Sequence, residues 1–248
     1  MNFLKLSITF AFSIILFINC NKKIVSQVAK VQKIQKLVSL SKSACFGKCP
    51  VYTLTIYEDG MLILESKLNI EKLGVYQTSL PVDKLNELNK RLHGINWLNY
   101  KSKYMRNIPD LPITTLTYYH HQDSAYSIIE SNYSMPNEIE EIQTELNQMV
   151  YQKNMILALK DKEVHAKDII RNELQIDMDS TINFTYLEEI FSQYEFKKTK
   201  RLSEYMNFYL FEFNTNKISP IEMLVLAKRV KGIRVVNFNK KLNQRDEF

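Results

Sequence analysis

Two cysteines, Cys45 and Cys49, are the residues whose type and spacing most directly suggest chemistry. Three interpretations are open: a structural disulfide, a redox-active thiol pair, and a metal site completed by His120 or His121. The spacing differs from the C-x-x-C pattern typical of redox motifs. The two histidines alternate sides of a predicted strand end, so at most one of them could face a given site. We therefore favour a disulfide and assign no metal to the chain.

The glycines and histidines exclude many catalytic classes. The chain of 248 residues has 5 glycines, and the nearest two, Gly47 and Gly60, are 13 positions apart. This spacing leaves no room for a dinucleotide-binding loop, a Walker loop or a G-x-S-x-G nucleophile elbow. The four histidines form neither an H-E-x-x-H motif nor a zinc-finger pattern. We predict no catalytic residues and no cofactor, and we expect that the protein is not an enzyme.

The first twenty residues resemble a bacterial lipoprotein signal. Lys5 is followed by the uncharged stretch 6–18, which is too short for a membrane-spanning helix. Cys20 comes directly after this stretch, although Asn19 departs from the small residue usual at that position. The resemblance implies removal of residues 1–19 and attachment of acyl chains such as palmitate to Cys20. A simple secretory signal or an uncleaved anchor is the alternative.

The export signal bears on location, partners and cysteine chemistry. Because Asn21 and not Asp follows Cys20, we expect an outer-membrane lipoprotein that faces the periplasm, held to the membrane by its lipid anchor. Residues 20–37 form a basic tether, which suits anionic headgroups or is a solvated linker. Nucleic acid is not an expected partner, despite the net charge of +6. In an oxidising compartment paired cysteines usually form a disulfide, which favours a Cys45–Cys49 bridge.

Elements of both types alternate along residues 38–152 and predict a small α+β domain, an antiparallel sheet with helices, that precedes a second small domain. Asp59-Gly60 is a strong hairpin signal, and Leu85, Leu88 and Leu92 mark one face of a helix that ends before Gly94. Strands are predicted at 51–58, 61–65, 73–78, 113–119 and 125–130, and helices after 79–81 and at 137–152.

A short motif in this segment resembles a known but uncharacterised domain of bacterial lipoproteins. The motif reads Cys45-Phe46-Gly47-x-Cys49-Pro50-x-Tyr52, followed by Asp59-Gly60, and Asp110-Leu111-Pro112 also fits the resemblance. The resemblance covers about residues 38–150. It implies a family but no activity.

Residues 153–248 predict a second domain with a ferredoxin-like layout. Strands are expected at 154–160, 207–213 and 233–238, and helices at 164–174 and 187–194. A third helix is expected to begin at the capping box of Ser219 and Glu222 and to end at Gly232. The pieces 200–203, 207–211, 218–219 and 235–239 resemble the propeptide-type unit of subtilisin-like proteases. Since no catalytic domain follows, that resemblance implies a protease partner in trans.

Three functions remain, in order of preference. The first is a non-enzymatic binding module in the cell envelope. The second is a protease inhibitor or folding aid that acts through the C-terminal domain. The third is a thiol redox protein that uses Cys45 and Cys49.

Overall fold

A computed structural model describes residues 34–120 and 125–241. The predicted signal, Cys20, most of the predicted tether, His121 and the C-terminal tail lie outside the described residues. The described strands are β1 (Lys36–Lys42), β2 (Val51–Tyr57), β3 (Met61–Leu68), β4 (Gly74–Ser79), β5 (Lys103–Tyr104), β6 (Thr114–Tyr119), β7 (Tyr126–Ser131), β8 (Ile156–Lys160), β9 (Ile169–Met178), β10 (Lys197–Arg201), β11 (Phe208–Glu212) and β12 (Ile233–Lys240). The described α-helices are α1 (Val82–Gly94), α2 (Asn137–Val150), α3 (Asp161–Val164), α4 (Phe184–Ile190) and α5 (Pro220–Arg229).

The larger sheet has eight strands in the order β5-β7-β6-β1-β2-β3-β4-β8. The predicted hairpin at Asp59-Gly60 joins β2 to β3, and Gly60 takes the positive φ of 82° that such a tight turn favours in glycine. The sequence predicts an antiparallel sheet, but the sheet is mixed because the two-residue strand β5 pairs with β7 in parallel. β1 was not predicted as a strand, and it begins at Lys36, inside the segment assigned to the tether.

Helices α1 and α2 pack on one face of this sheet. The predicted stripe of α1 buries Leu88 and Leu92, whereas Leu85 is only partly buried. The stripe of α2 buries Ile139, Ile142, Leu146 and Met149, as the spacing predicts. Gly94 is the last residue of α1 and does not lie beyond its end.

The smaller sheet has four strands in the order β10-β11-β9-β12, and all neighbours are antiparallel. The predicted capping box begins α5: Glu222 N donates to Ser219 Oγ at 3.2 Å, and Ser219 N donates to Glu222 Oε2 at 3.0 Å. The chain thus folds into a mixed α+β structure with two sheets.

The helix predicted at 164–174 is wrong, because most of that stretch belongs to β9. Ile170 and Leu174 fit helical spacing, but Leu174, Ile176 and Met178 alternate inward from a strand. β10 was also missed, since its sequence Lys-Lys-Thr-Lys-Arg has no apolar residue to mark a buried side.

The strand predicted at 154–160 exists as β8, but it belongs to the larger sheet. β8 pairs with β4, with Val75 opposite Leu159 and Gln77 opposite Ile156. The face of β3, β4 and β8 that points away from α1 and α2 shares one apolar core with α4, α5 and the smaller sheet. The division into domains 38–152 and 153–248 stays a prediction.

Candidate functional site

The loop between β1 and β2 carries the cysteine motif. Cys45 and Cys49 lie at disulfide-bonding distance, with Sγ–Sγ 1.88 Å and Cα–Cα 5.7 Å. The bridge closes a turn around Phe46 and Gly47, and Gly47 N donates to Cys45 Sγ at 3.2 Å. Such a small ring limits the conformations of the loop more than it stabilises the fold.

Hydrogen bonds at both ends fasten this loop to the sheet. Ser43 N donates to Ile113 O at 2.9 Å, and Ile113 N donates to Ser43 Oγ at 2.8 Å. At the other end Asn69 Nδ2 donates to Cys49 O at 3.0 Å. The loop is therefore held by the chain before β6 on one side and by the chain after β3 on the other.

The two parts of the family resemblance meet at this loop. Phe46 N donates to Asp110 O at 3.4 Å, although the two residues are far apart in sequence. Asp110 has a positive φ of 65°, which a non-glycine residue adopts rarely and aspartate more readily than most. A backbone hydrogen bond thus joins the Asp110-Leu111-Pro112 segment to the cysteine loop.

Phe46 is 90% exposed, although it belongs to a large apolar type. Other exposed apolar side chains occur at the same end of the sheet, where β1, β3, β5 and β7 end and β2 and β6 begin. We call this set the apolar rim: Phe46, Leu68, Met105, Ile108 and Tyr133.

Arg106 joins the segment of Met105 and Ile108 to the segment of Tyr133. Its guanidinium lies 3.3 Å from the ring centroid of Tyr133, and its backbone N–H donates to Asn132 Oδ1 at 2.7 Å. Ile108 N donates to the Arg106 carbonyl at 2.8 Å. Exposed apolar side chains grouped at one end of a sheet are typical of a surface that contacts another molecule.

Four motif residues lie away from the rim or have structural roles. Tyr52 is buried, its hydroxyl donates to Asn147 Oδ1 at 2.6 Å, and its burial raises the pKa of the phenol. Asp59 accepts from Met61 N at 2.9 Å and, with Gly60, occupies the turn at the opposite end of β2. Pro50 leads directly into β2.

The structure separates His120 from Cys45 and Cys49, and His121 lies outside the described residues. His120 follows the end of β6, whereas the cysteine loop contacts the chain just before β6 begins, so the two are at opposite ends of that strand. His120 Nε2 instead lies 2.9 Å from Ser127 Oγ. Within the described ranges, no group of three histidine, cysteine or acidic residues could hold a metal ion.

A polar cluster at the junction of the two sheets was not predicted. Tyr57, buried at the end of β2, donates to Glu222 Oε1 at 2.7 Å, and Lys36 Nζ lies 3.3 Å from the same oxygen. Burial alone would raise the pKa of Glu222, but hydrogen bonds from Ser219 and Tyr57 and the charge of Lys36 lower it on balance. Glu65, also on this side of the sheet, has its pKa raised chiefly by burial.

Comparison with known families identifies one region of the chain. A domain described as "Domain of unknown function (DUF6438)" is found at residues 36–150, close to the range expected for an uncharacterised domain. Neither the curated proteins nor the solved structures provide a match. Among the described helices, none has the length and apolar character needed to cross a bilayer.

Proposed function

We propose that this protein is a non-enzymatic, lipid-anchored envelope protein whose apolar rim binds a partner protein. The observation that carries the proposal is Phe46, an aromatic side chain 90% exposed on a loop that a disulfide and hydrogen bonds hold in place. Leaving so large an apolar group in water forgoes about 2 kcal/mol of burial, which a partner would recover.

A fastened loop is a favourable site for recognition. Aromatic residues near the centre of an interface supply much of its binding free energy, and preorganised groups lose less conformational entropy on binding. Phe46 is held through its own backbone N–H as well as through the neighbouring disulfide. The remaining rim residues would contact the partner around Phe46 and exclude water.

The rim lies at the far end of β1 from the point where the described chain begins. β1 runs from Lys36, two residues after the first described residue, to Lys42, next to the cysteine loop. Seven extended residues cover about 20 Å. The rim therefore lies about one strand length from Lys36, the end of β1 that is nearer in sequence to Cys20, and this separation suits a tethered binding module.

The lipid anchor can be tested by intact mass spectrometry of the protein from the membrane fraction. We expect loss of residues 1–19 and a mass increase from acyl chains, and neither change in a Cys20→Ser variant. An unmodified amino terminus in the wild type would contradict the anchor.

The rim itself can be tested with a photo-crosslinking amino acid at position 46. The matched control is position 98, because Leu98 is 94% exposed but lies in a short 3-10 helix, Trp97–Asn99, outside the rim. We expect a discrete protein adduct in native cells from position 46 and none from position 98. Equal labelling from both positions, or none from position 46, would overturn the proposal.

The second candidate function concerns the smaller sheet. The order β9-α4-β10-β11-α5-β12, with spatial order β10-β11-β9-β12, supports a ferredoxin-like unit of the kind found in protease propeptides. Likeness of layout does not establish activity. Inhibition of a subtilisin-like protease by the full chain at micromolar concentration would support this function, and unchanged protease activity would contradict it.

A further inference from the structure

One face of the larger sheet carries apolar side chains on one side of the boundary between β3 and β2 and hydroxyl side chains on the other. On β3, β4 and β8 this face buries Ile63, Val75 and Leu159 in the core shared with the smaller sheet. On β2, β1 and β6 the same face carries hydroxyl groups, because residues directly opposite each other across strands lie on one side of a sheet.

The hydroxyls form two rows across three adjacent strands, which we call the hydroxyl face. Register places Thr53, Ser41 and Thr115 in one row. The second row contains Thr55, Ser39 and Thr117. Neighbouring strands lie about 4.8 Å apart, so each row extends about 10 Å from end to end.

These six hydroxyls are not used by the fold. Five of the six residues are half-buried and Thr55 is buried, yet in the described part of the chain no side chain or backbone group is hydrogen-bonded to any of their Oγ atoms. Since β1, β2 and β6 are interior strands, their backbone groups are paired within the sheet. A ligand on this face would therefore be recognised through the side-chain hydroxyls.

An acidic residue stands at each end of the first row. Glu65 is opposite Thr53 and Glu130 is opposite Thr115. Glu130 pairs with Lys103 at 3.2 Å, whereas the Glu65 carboxylate has no hydrogen-bond donor among the described residues. A partly buried carboxylate without a donor is costly, and a hydroxyl from a ligand would satisfy it.

Tyrosine rings border the hydroxyl face beside its second row. Tyr119 and Tyr126 are opposite each other on β6 and β7, with ring centroids 6.4 Å apart. Tyr126 is exposed. Aromatic rings pack against the C–H faces of sugar rings, and the combination of such rings with hydroxyls and a carboxylate acceptor is chemically complementary to a carbohydrate.

We infer that the hydroxyl face binds a glycan chain. The row length matches a disaccharide, and the hydroxyls offer both donors and acceptors to sugar hydroxyls. The charges on this face are balanced, because Lys103 pairs with Glu130 and the charges of Lys67 and Lys36 act on Glu65. An apolar ligand would leave the hydroxyl groups unpaired. A neutral chain with many hydroxyl groups fits both the balanced charge and the hydroxyl rows.

The inference can be tested by titrating the full chain with three soluble probes, cellohexaose, chitohexaose and maltohexaose, followed by NMR or calorimetry. We expect at least one probe to bind, with affinity falling at least fivefold in the double variant Thr53→Val/Thr115→Val. The matched control is Thr78→Val, which makes the same chemical change opposite Leu62, on the helix-covered face. Circular dichroism would establish that each variant is folded.

Three results would overturn the inference. They are no binding of any probe at millimolar concentration, equal loss of binding in the control variant, and a polypeptide adduct from a photo-crosslinker at position 117. Because the rim is tested at position 46, failure of the glycan titration leaves the proposed function standing, and failure at position 46 leaves the glycan inference standing.

Discussion

Tyr57 donates its hydroxyl proton to Glu222 at 2.7 Å and so joins the end of β2 to the first turn of α5. The two residues lie 165 positions apart in the sequence. Lys36 completes the cluster from β1, and Arg229 at the far end of α5 pairs with Asp59 in the hairpin turn at 3.3 Å. Polar contacts at both ends of α5 therefore fix this helix against the larger sheet.

Replacing Tyr57 with phenylalanine should measure this link. The ring would still fill its buried site, but Glu222 would lose one donor, so we expect the free energy of unfolding to fall by about 1–3 kcal/mol. Tyr205→Phe is the matched control, because Tyr205 is 95% exposed. Denaturant unfolding followed by circular dichroism gives both values. An equal effect in the two variants would contradict the role of the hydrogen bond.

Glu222→Gln keeps the shape and one acceptor but removes the charge. The pKa of Glu222 is lowered in the folded state on balance, so its ionised form stabilises the fold above the pKa of the unfolded chain. We expect the variant to be less stable than wild type at neutral pH. The difference should shrink as pH falls through the folded-state pKa. A pH-independent difference would show that charge is not the cause.

Glu65→Gln should have the opposite sign. Burial raises the pKa of Glu65 in the folded state, so ionisation weakens the fold as pH rises from the unfolded-state value through the folded-state value. We expect the variant to be more stable than wild type at pH 7 and to lose this advantage in acid. Unfolding curves between pH 3 and pH 7 (about four units spanning the usual carboxyl range) test it.

Replacement of both bridging cysteines by alanine should loosen the rim more than it destabilises the fold. The bridge closes a loop with a sequence separation of 4, so we expect a loss of about 2 kcal/mol or less. Hydrogen exchange at the Phe46 and Gly47 amides should accelerate, while exchange in α2 stays unchanged. Wild type treated with dithiothreitol is the companion sample. Global unfolding of the variant would contradict the expectation that the bridge mainly orders the loop.

The sequence predicts most of the elements of residues 36–150 because apolar residues there recur at helical or strand spacing. Leu88 and Leu92 identify α1, and Asp59-Gly60 identifies the β2–β3 turn, since both signals are local. β1 could not be placed between β2 and β6, because strand neighbours depend on contacts that are distant in sequence. The helix predicted at 164–174 failed because short apolar runs fit either period.

The candidate site shows the same division. The cysteine motif identifies the loop, and Asp110-Leu111-Pro112 was associated with the same resemblance, but the bond from Phe46 to Asp110 is a product of the fold. The hydroxyl face was hidden for a related reason. Thr53, Ser41 and Thr115 are separate polar residues in the sequence, and only the strand register brings them into one row.

Two glycine substitutions should show whether the close approach of Gly74 to the β8 backbone stabilises the protein. A Cβ at Gly74 would lie 2.5 Å from the Leu159 carbonyl oxygen and 2.9 Å from Asp161 N, at a φ of 114°. Backbone cannot move aside as a side chain can, so we expect Gly74→Ala to lower the free energy of unfolding by at least about 2 kcal/mol and to weaken the β4–β8 pairing. Gly94→Ala is the control, since no atom lies within 4 Å of its added Cβ. It should leave stability unchanged or raise it by about 1 kcal/mol, because alanine favours the helix.

Hydrogen exchange of residues 156–160 is the specific measurement: protection should fall in Gly74→Ala and persist in Gly94→Ala. Retained protection in Gly74→Ala would mean that β8 does not depend on the close approach at Gly74.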